Sequence, residues 1–168
     1  IPSLVEQGFP VLSVAYRNDV GAATNESGMR LWGLEEWRDL DAALSLAERK
    51  GAKDVVIIGS GFGASIVSTF LHESPNVGLV RGVIDDSPVL DLEGVATRWA
   101  ADHNIPSPIA WLGRRLAAVR FSMDWNMLNQ HSRTEQFDVP ILLMFGAEDL
   151  VTPSEEFVEF ADALPDFV

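Results

Sequence analysis

Residues 55–65 read VVIIGSGFGAS: a short β-branched apolar run, then glycines alternating with Ser60 and Phe62, then the opening of a helical pattern. Uniform apolarity over Val55–Ile58 suits a strand with helices on both faces of its sheet, because such a strand has no solvent side to alternate toward. The glycines allow a sharp turn, and a helix over Phe62–Glu73 is expected to follow. Strand, tight glycine turn and helix in direct succession make the unit of an α/β fold.

The flanks repeat that alternation. Upstream, GLEEWRDLDAALSLAERKG (33–51) sets Leu34, Trp37, Leu40, Leu44 and Ala47 at three- and four-residue steps, one buried stripe of a helix. Glu35, Glu36 and Asp39 near its start and Arg49 and Lys50 at its end complement the helix dipole, and Gly51 closes it. Earlier still, Val11–Arg17 is an expected strand and Asn18–Gly33 a loop, while residues 1–8 read as the last turns of a helix stopped by Gly8. Downstream, Val80–Ile84 and Val139–Gly146 are expected buried strands. Asp85 and Asp86 are expected to form a turn before Ser87-Pro88. A longer insert, 91–138, holds a helix over 109–120 and three tryptophans, Trp99, Trp111 and Trp125. The chain closes with a helix over Ser154–Leu164, with Ser154 as its N-cap. This order implies α/β architecture with a parallel sheet in a single domain, 1–168.

Composition narrows the function classes. A chain of 168 residues with 47% hydrophobic and 22% charged residues buries a real core. Twelve basic against 25 acidic residues give a net charge of −13, which argues against nucleic acid and, for the same reason, against anionic membrane surfaces. The lack of cysteine excludes disulfides, thiolate metal ligands and cysteine nucleophiles. No apolar run approaches the roughly 18 residues of a membrane-spanning helix. The sequence opens at Ile1-Pro2 without methionine, so the true N-terminus is expected to be missing; no compartment is assigned, the cytoplasm being the default. No His/Cys cluster is present and the carboxylates lack ligand spacing, so neither a metal nor an organic cofactor is expected.

Three stretches, GFPVLSVAYRN (8–18), VVIIGSGFGAS (55–65) and VPILLMFGAEDLVTP (139–153), together resemble the α/β-hydrolase superfamily, of the bacterial esterase or lysophospholipase-like kind. The resemblance implies carboxylic ester hydrolysis through a Ser-His-Asp acyl-enzyme mechanism, on a small ester or acyl substrate. Position 61 would carry the nucleophile on the strand-to-helix turn, with small residues at Gly59 and Gly63. The Phe62 N–H would donate to the oxyanion, and Asp149 would be the triad acid. Residues 91–138 would form a helical cap. A phosphate cradle is the rival reading of the glycine turn, but Ala64 and Ile66 stand where a G-x-G-x-x-G motif needs its last glycine. Asp85 or Asp86 offers an alternative acid position.

The sequence departs from that family in three ways. Gly61 has no side chain, so the nucleophile is missing, and Ser60 would point to the opposite side of the strand. The histidine should follow the acid, yet His72, His103 and His131 all precede Asp149. His72 is expected at an exposed helix end and the other two at the surface. The family's first strands and last strand are also lacking, so the fold is expected to be partial and its sheet to be completed by another chain or by segments outside these residues. The chain as written is expected to be inactive or nearly so, the alternative being a non-catalytic ligand- or partner-binding protein on the same fold.

Overall fold

The computed structural model describes residues 2–165. Three strands, β1 (Val55–Ser60), β2 (Val80–Asp86) and β3 (Ile141–Met144), form a parallel sheet in the order β1-β2-β3. Helices α1 (Pro2–Glu6), α2 (Trp37–Arg49), α3 (Phe62–Glu73), α4 (Leu92–Asp102), α5 (Ser107–Phe121) and α6 (Ser154–Ala163) accompany it. The expected helix after the glycine turn has the bounds expected of it, because Gly61 and Ser74 leave helical geometry on either side. α4 falls inside the insert, ahead of the one helix, over 109–120, that the sequence delimits there.

Strand register sorts the side chains onto two faces. Ile57, Val83 and Ile141 share one row, and Gly59, Asp85 and Leu143 the next. This face packs against Ile66, Val67 and Phe70 of α3 and Phe157 and Phe160 of α6, with Leu40 and Leu44 of α2 completing the core. On the opposite face Ile58, Ile84 and Leu142 form one row and Ser60, Asp86 and Met144 another. Val56, Ile58, Leu142 and Met144 are exposed there. The expectation of helices on both faces is thus met on one only, among the described residues.

Val11–Arg17 is not a strand. No neighbouring strand among the described residues offers it a ladder, and a lone extended segment has no use for its backbone hydrogen-bonding groups. Arg17 is instead anchored to α2: its backbone N–H and Nε donate to Asp39 Oδ2 and its Nη2 to Oδ1, each at 2.9 Å. The last strand is shorter than the expected 139–146, since pairing with β2 ends at Met144. Ser154 does not cap α6; its hydroxyl donates to the adjacent Glu155 carboxylate at 3.4 Å, and Pro153 holds the N-cap position.

Candidate active site at the strand-to-helix turn

β1 passes into α3 through a single residue. Gly61 has φ +51° and ψ −115°, a conformation that side-chain-bearing residues adopt only under strain. Its N–H donates to the Asp86 carbonyl at 2.8 Å, which ties the turn to the end of β2. A Cβ built at Gly61 would meet nothing within 4 Å, so a side chain there would stand in open space above the sheet. Gly59 is different: a Cβ there would lie 2.6 Å from Ala64 Cα and 2.9 Å from Ala64 N, so only glycine lets α3 leave the strand this steeply. At Gly63 the nearest atom to a Cβ would be the Tyr16 hydroxyl at 4.0 Å, so packing makes no such demand there.

Phe62 is the first residue of α3, where N–H groups have no intrahelical acceptor and the helix dipole favours negative charge. Its ring is enclosed by Trp32 (edge-on, 5.3 Å), Tyr16 (edge-on, 6.5 Å) and the Arg30 guanidinium (5.6 Å). The loop that supplies these groups is held by the acidic residues read from sequence as dipole-complementing. Glu36 is wholly buried, and its two oxygens accept the N–H groups of Leu31 at 2.6 Å and Gly33 at 3.0 Å. Between those two donors sits Trp32, a bulky residue at φ +56°. Gly33 presses against α3 so closely that a Cβ would lie 2.8 Å from Thr69 Oγ1. Glu35 accepts from Asn25 Nδ2 at 2.9 Å, and Asp39 is held below its ordinary carboxylate range: burial pushes it up, but the Arg17 hydrogen bonds outweigh this. Trp32, with Ser65, Val89, Leu92, Leu128 and Gln130, walls a cleft too narrow to admit water.

Asp149 lies in the loop that leaves the carboxyl end of β3, a strand two spacings or roughly 10 Å from β1. Its Oδ1 accepts the N–H groups of Val151 at 2.8 Å and Thr152 at 3.1 Å, which fixes the loop. Arg98 of α4 clasps the same loop, donating to the Val151 carbonyl at 3.0 Å and to Glu156 at 2.6 Å.

Asp85 and Asp86 belong to β2 rather than to a turn, because pairing with β1 and β3 runs through both. Asp86 accepts from Ser60 at 3.2 Å and Ser87 at 3.3 Å, so Ser60 is engaged on the open face of the sheet. Asp85 points into the core with 2% of its surface exposed; its Oδ1 has no partner, and burial pushes its pKa up to about 8. Tyr16 is raised as well, by burial first and then by Asp19, Asp39 and Asp85.

None of the histidines completes the site. His72 lies eleven residues along α3 from position 61, roughly 16 Å by helix rise. It is not an exposed helix end: its ring packs on Phe137 at 4.4 Å, Nε2 faces Gln130 Oε1 at 3.3 Å, and burial, with Arg133 nearby, pushes its pKa down to about 4. His103 is exposed, its Nδ1 2.8 Å from the Trp99 carbonyl and its ring stacked on Trp99. His131 stands edge-on to Phe160. Among the described residues no group of three or more His, Asp or Glu converges as metal ligands would.

No protein-family model matches this chain, and no curated protein sequence does. Solved structures do. An esterase from Pyrococcus furiosus superposes with a TM-score of 0.70 at 21% identity, over 95% of this chain and 57% of its own. A puromycin hydrolase superposes with a TM-score of 0.64 at 21% identity, over 89% of this chain and 22% of its own. An α/β hydrolase from lagoon-sediment metagenome of Mar Chica, Morocco, gives 0.50 at 21% identity, over 82% and 59%.

The chain carries a partial α/β-hydrolase fold. At these identities the likeness is one of fold, and the chain spans little more than half the length of the Pyrococcus esterase. Within the α/β-hydrolase fold, the carboxyl edge holding Gly61, Phe62 and Asp149 is where ligands bind in open parallel sheets. Sequence reading missed Glu36, Trp32, Tyr16 and Arg98 there. Glu36 alone left a signal, as a carboxylate three residues past a glycine, but its buried partners are visible only in three dimensions.

Proposed function

We propose that this chain is the scaffold of a carboxylic ester hydrolase of the Ser-His-Asp type in which glycine occupies the nucleophile position. The observation that carries the reading is the backbone of Gly61, φ +51° and ψ −115° between β1 and α3, with open space where a side chain would project. A serine there would stand on a strained turn beside the orphan N–H groups of α3, the geometry that acyl transfer demands. Phe62 N–H is the proposed oxyanion donor and Asp149 the triad acid, with residues 91–138 as the cap. The ligand is a small ester or acyl compound. Without the nucleophile, rate enhancement falls to what the oxyanion site and binding provide.

The histidine and the rest of the sheet come, in this reading, from polypeptide outside the 168 residues. The open sheet face, with Ile58 and Leu142 exposed on either side of a half-buried Ile84, supports that part, because a parallel sheet is normally covered on both faces. A second reading, a ligand-binding protein without catalysis, is favoured by Gly61 itself, which supplies no nucleophile.

Fluorophosphonate labelling and hydrolysis of short-chain nitrophenyl esters by the full-length protein, which in this reading includes the histidine, with Gly61 and with Gly61→Ser, separate the two. The hydrolase reading expects an inert Gly61 protein and labelling plus turnover on Gly61→Ser. Two folded but inert proteins would give the site to binding alone.

A further inference from the structure

α5 is turned inside out. Ile109, Leu112, Leu116 and Val119 recur at steps of three, four and three, one apolar stripe along the helix. All four are exposed, by 51–84%, and no residue of the helix is buried. The side toward the protein carries Arg114, which donates to Thr97 Oγ1 at 2.9 Å and lies 3.2 Å from the Glu93 carboxylate of α4. Four aliphatic side chains in line, facing water, mark a surface that something covers.

Charge indicates what. The chain holds 25 acidic residues, yet Ser107–Phe121 has none and contains Arg114, Arg115 and Arg120. Arg115 and Arg120 are exposed beside the stripe and form no ion pair among the described residues. Arg115 also lies over the exposed ring of Trp111, 5.4 Å from its centroid. The open sheet face lacks these features: Val56, Ile58, Ile84, Leu142 and Met144 bring no basic residue.

We propose that α5 is a peripheral docking helix for an anionic phospholipid surface. Its stripe enters the boundary between headgroups and acyl chains, Trp111 sits at that boundary, and Arg115 and Arg120 meet lipid phosphates. The net charge of −13 does not prevent this, because at physiological ionic strength exposed charges beyond about 8 Å are largely screened, and the local charge of the helix governs contact. A second copy fits less well, since its helix would bring further arginines and no carboxylate to meet Arg115 and Arg120.

Co-sedimentation with phosphatidylcholine vesicles, with and without phosphatidylglycerol, tests the proposal. The protein is expected to partition onto the phosphatidylglycerol vesicles. Leu112→Glu with Leu116→Glu should lower partitioning about tenfold or more, and Arg115→Glu with Arg120→Glu should do so on the anionic vesicles. All four side chains are exposed, so thermal melts should not change. Failure of the unaltered protein to sediment, or an unaffected stripe variant, overturns the proposal. A dimer by light scattering that the stripe variant makes monomeric, without vesicle binding, gives the stripe to a second copy instead.

Discussion

At Gly59 and Gly63, two glycines that look alike in the sequence face opposite demands. A Cβ at position 59 would run into the backbone of Ala64, which cannot yield without moving the start of α3. Gly59→Ala should therefore lower stability by about 2–3 kcal/mol, as overpacking does, whereas Gly63→Ala should raise it by about 0.5–1 kcal/mol because alanine favours the helix. Urea denaturation of both variants checks the pair, and equal effects would sink the distinction. Asp85 makes a residue-scale prediction about pH. Folded, its carboxyl keeps the proton up to about pH 8; unfolded, it releases it near its ordinary 3.8. Between those values the folded state holds more protons, so this group's contribution to stability falls as pH rises from about 4 to 8. Asp85→Asn removes that loss. Its unfolding free energy should match the parent's near pH 3.5 and exceed it at pH 8.5, by an amount on the order of a few kcal/mol. Parallel pH profiles for the two proteins would show that Asp85 is ionised and solvated in the fold.

Between α2 and the strand-to-helix turn, the loop ending at Gly33 behaves as one element, held by the Glu36 carboxyl group. Trp32 at φ +56° is strained by roughly 1–3 kcal/mol, and such strain persists only where neighbours over-determine it. In Glu36→Gln one acceptor becomes an NH₂ group facing a backbone N–H, so the variant should lose about 2–3 kcal/mol. Hydrogen exchange at the Leu31 and Gly33 amides should quicken more than global unfolding explains; unchanged protection at both would remove the carboxyl group from this role. The clamp also shows where sequence reading stops. The bounds of α3 were legible because glycine geometry and apolar spacing are local signals. Glu36 read as a charge near a helix start because the backbone groups that bury it belong to a loop with no periodicity. Asp85 failed similarly: an aspartate before Ser-Pro reads as a turn, and only register with β1 and β3 turns it into the core. α4 was missed inside a mixed insert, and His72 looked exposed because Phe137 and Gln130 are distant in sequence.

For the whole molecule, fold class and the placement of Gly61 and Asp149 beyond the carboxyl ends of strands were readable from strand-helix alternation, while coverage of the sheet was not, since apolar strands read identically whether or not a helix lies on each face. Val11–Arg17 illustrates the same gap: its composition suits a strand, but a strand exists only beside a partner. The open row Ile58–Ile84–Leu142 then governs how the 168-residue chain behaves by itself. Apolar side chains in register on a sheet with free edges promote association between molecules. Leu142 is more than half exposed and belongs to β3, the strand at one edge of the sheet among the described residues. Leu142→Lys should therefore change the stability of this chain by no more than about 0.5 kcal/mol, as exposed substitutions do, while suppressing association at high concentration. Light scattering across a concentration series, with a urea melt on the same samples, reads both quantities. In a protein whose sheet is completed by further polypeptide, the same substitution buries a lysine, and the loss should grow to several kcal/mol. A cost that is equally small in both settings would mean that nothing covers this face, and the sheet-completing segment would have to be given up.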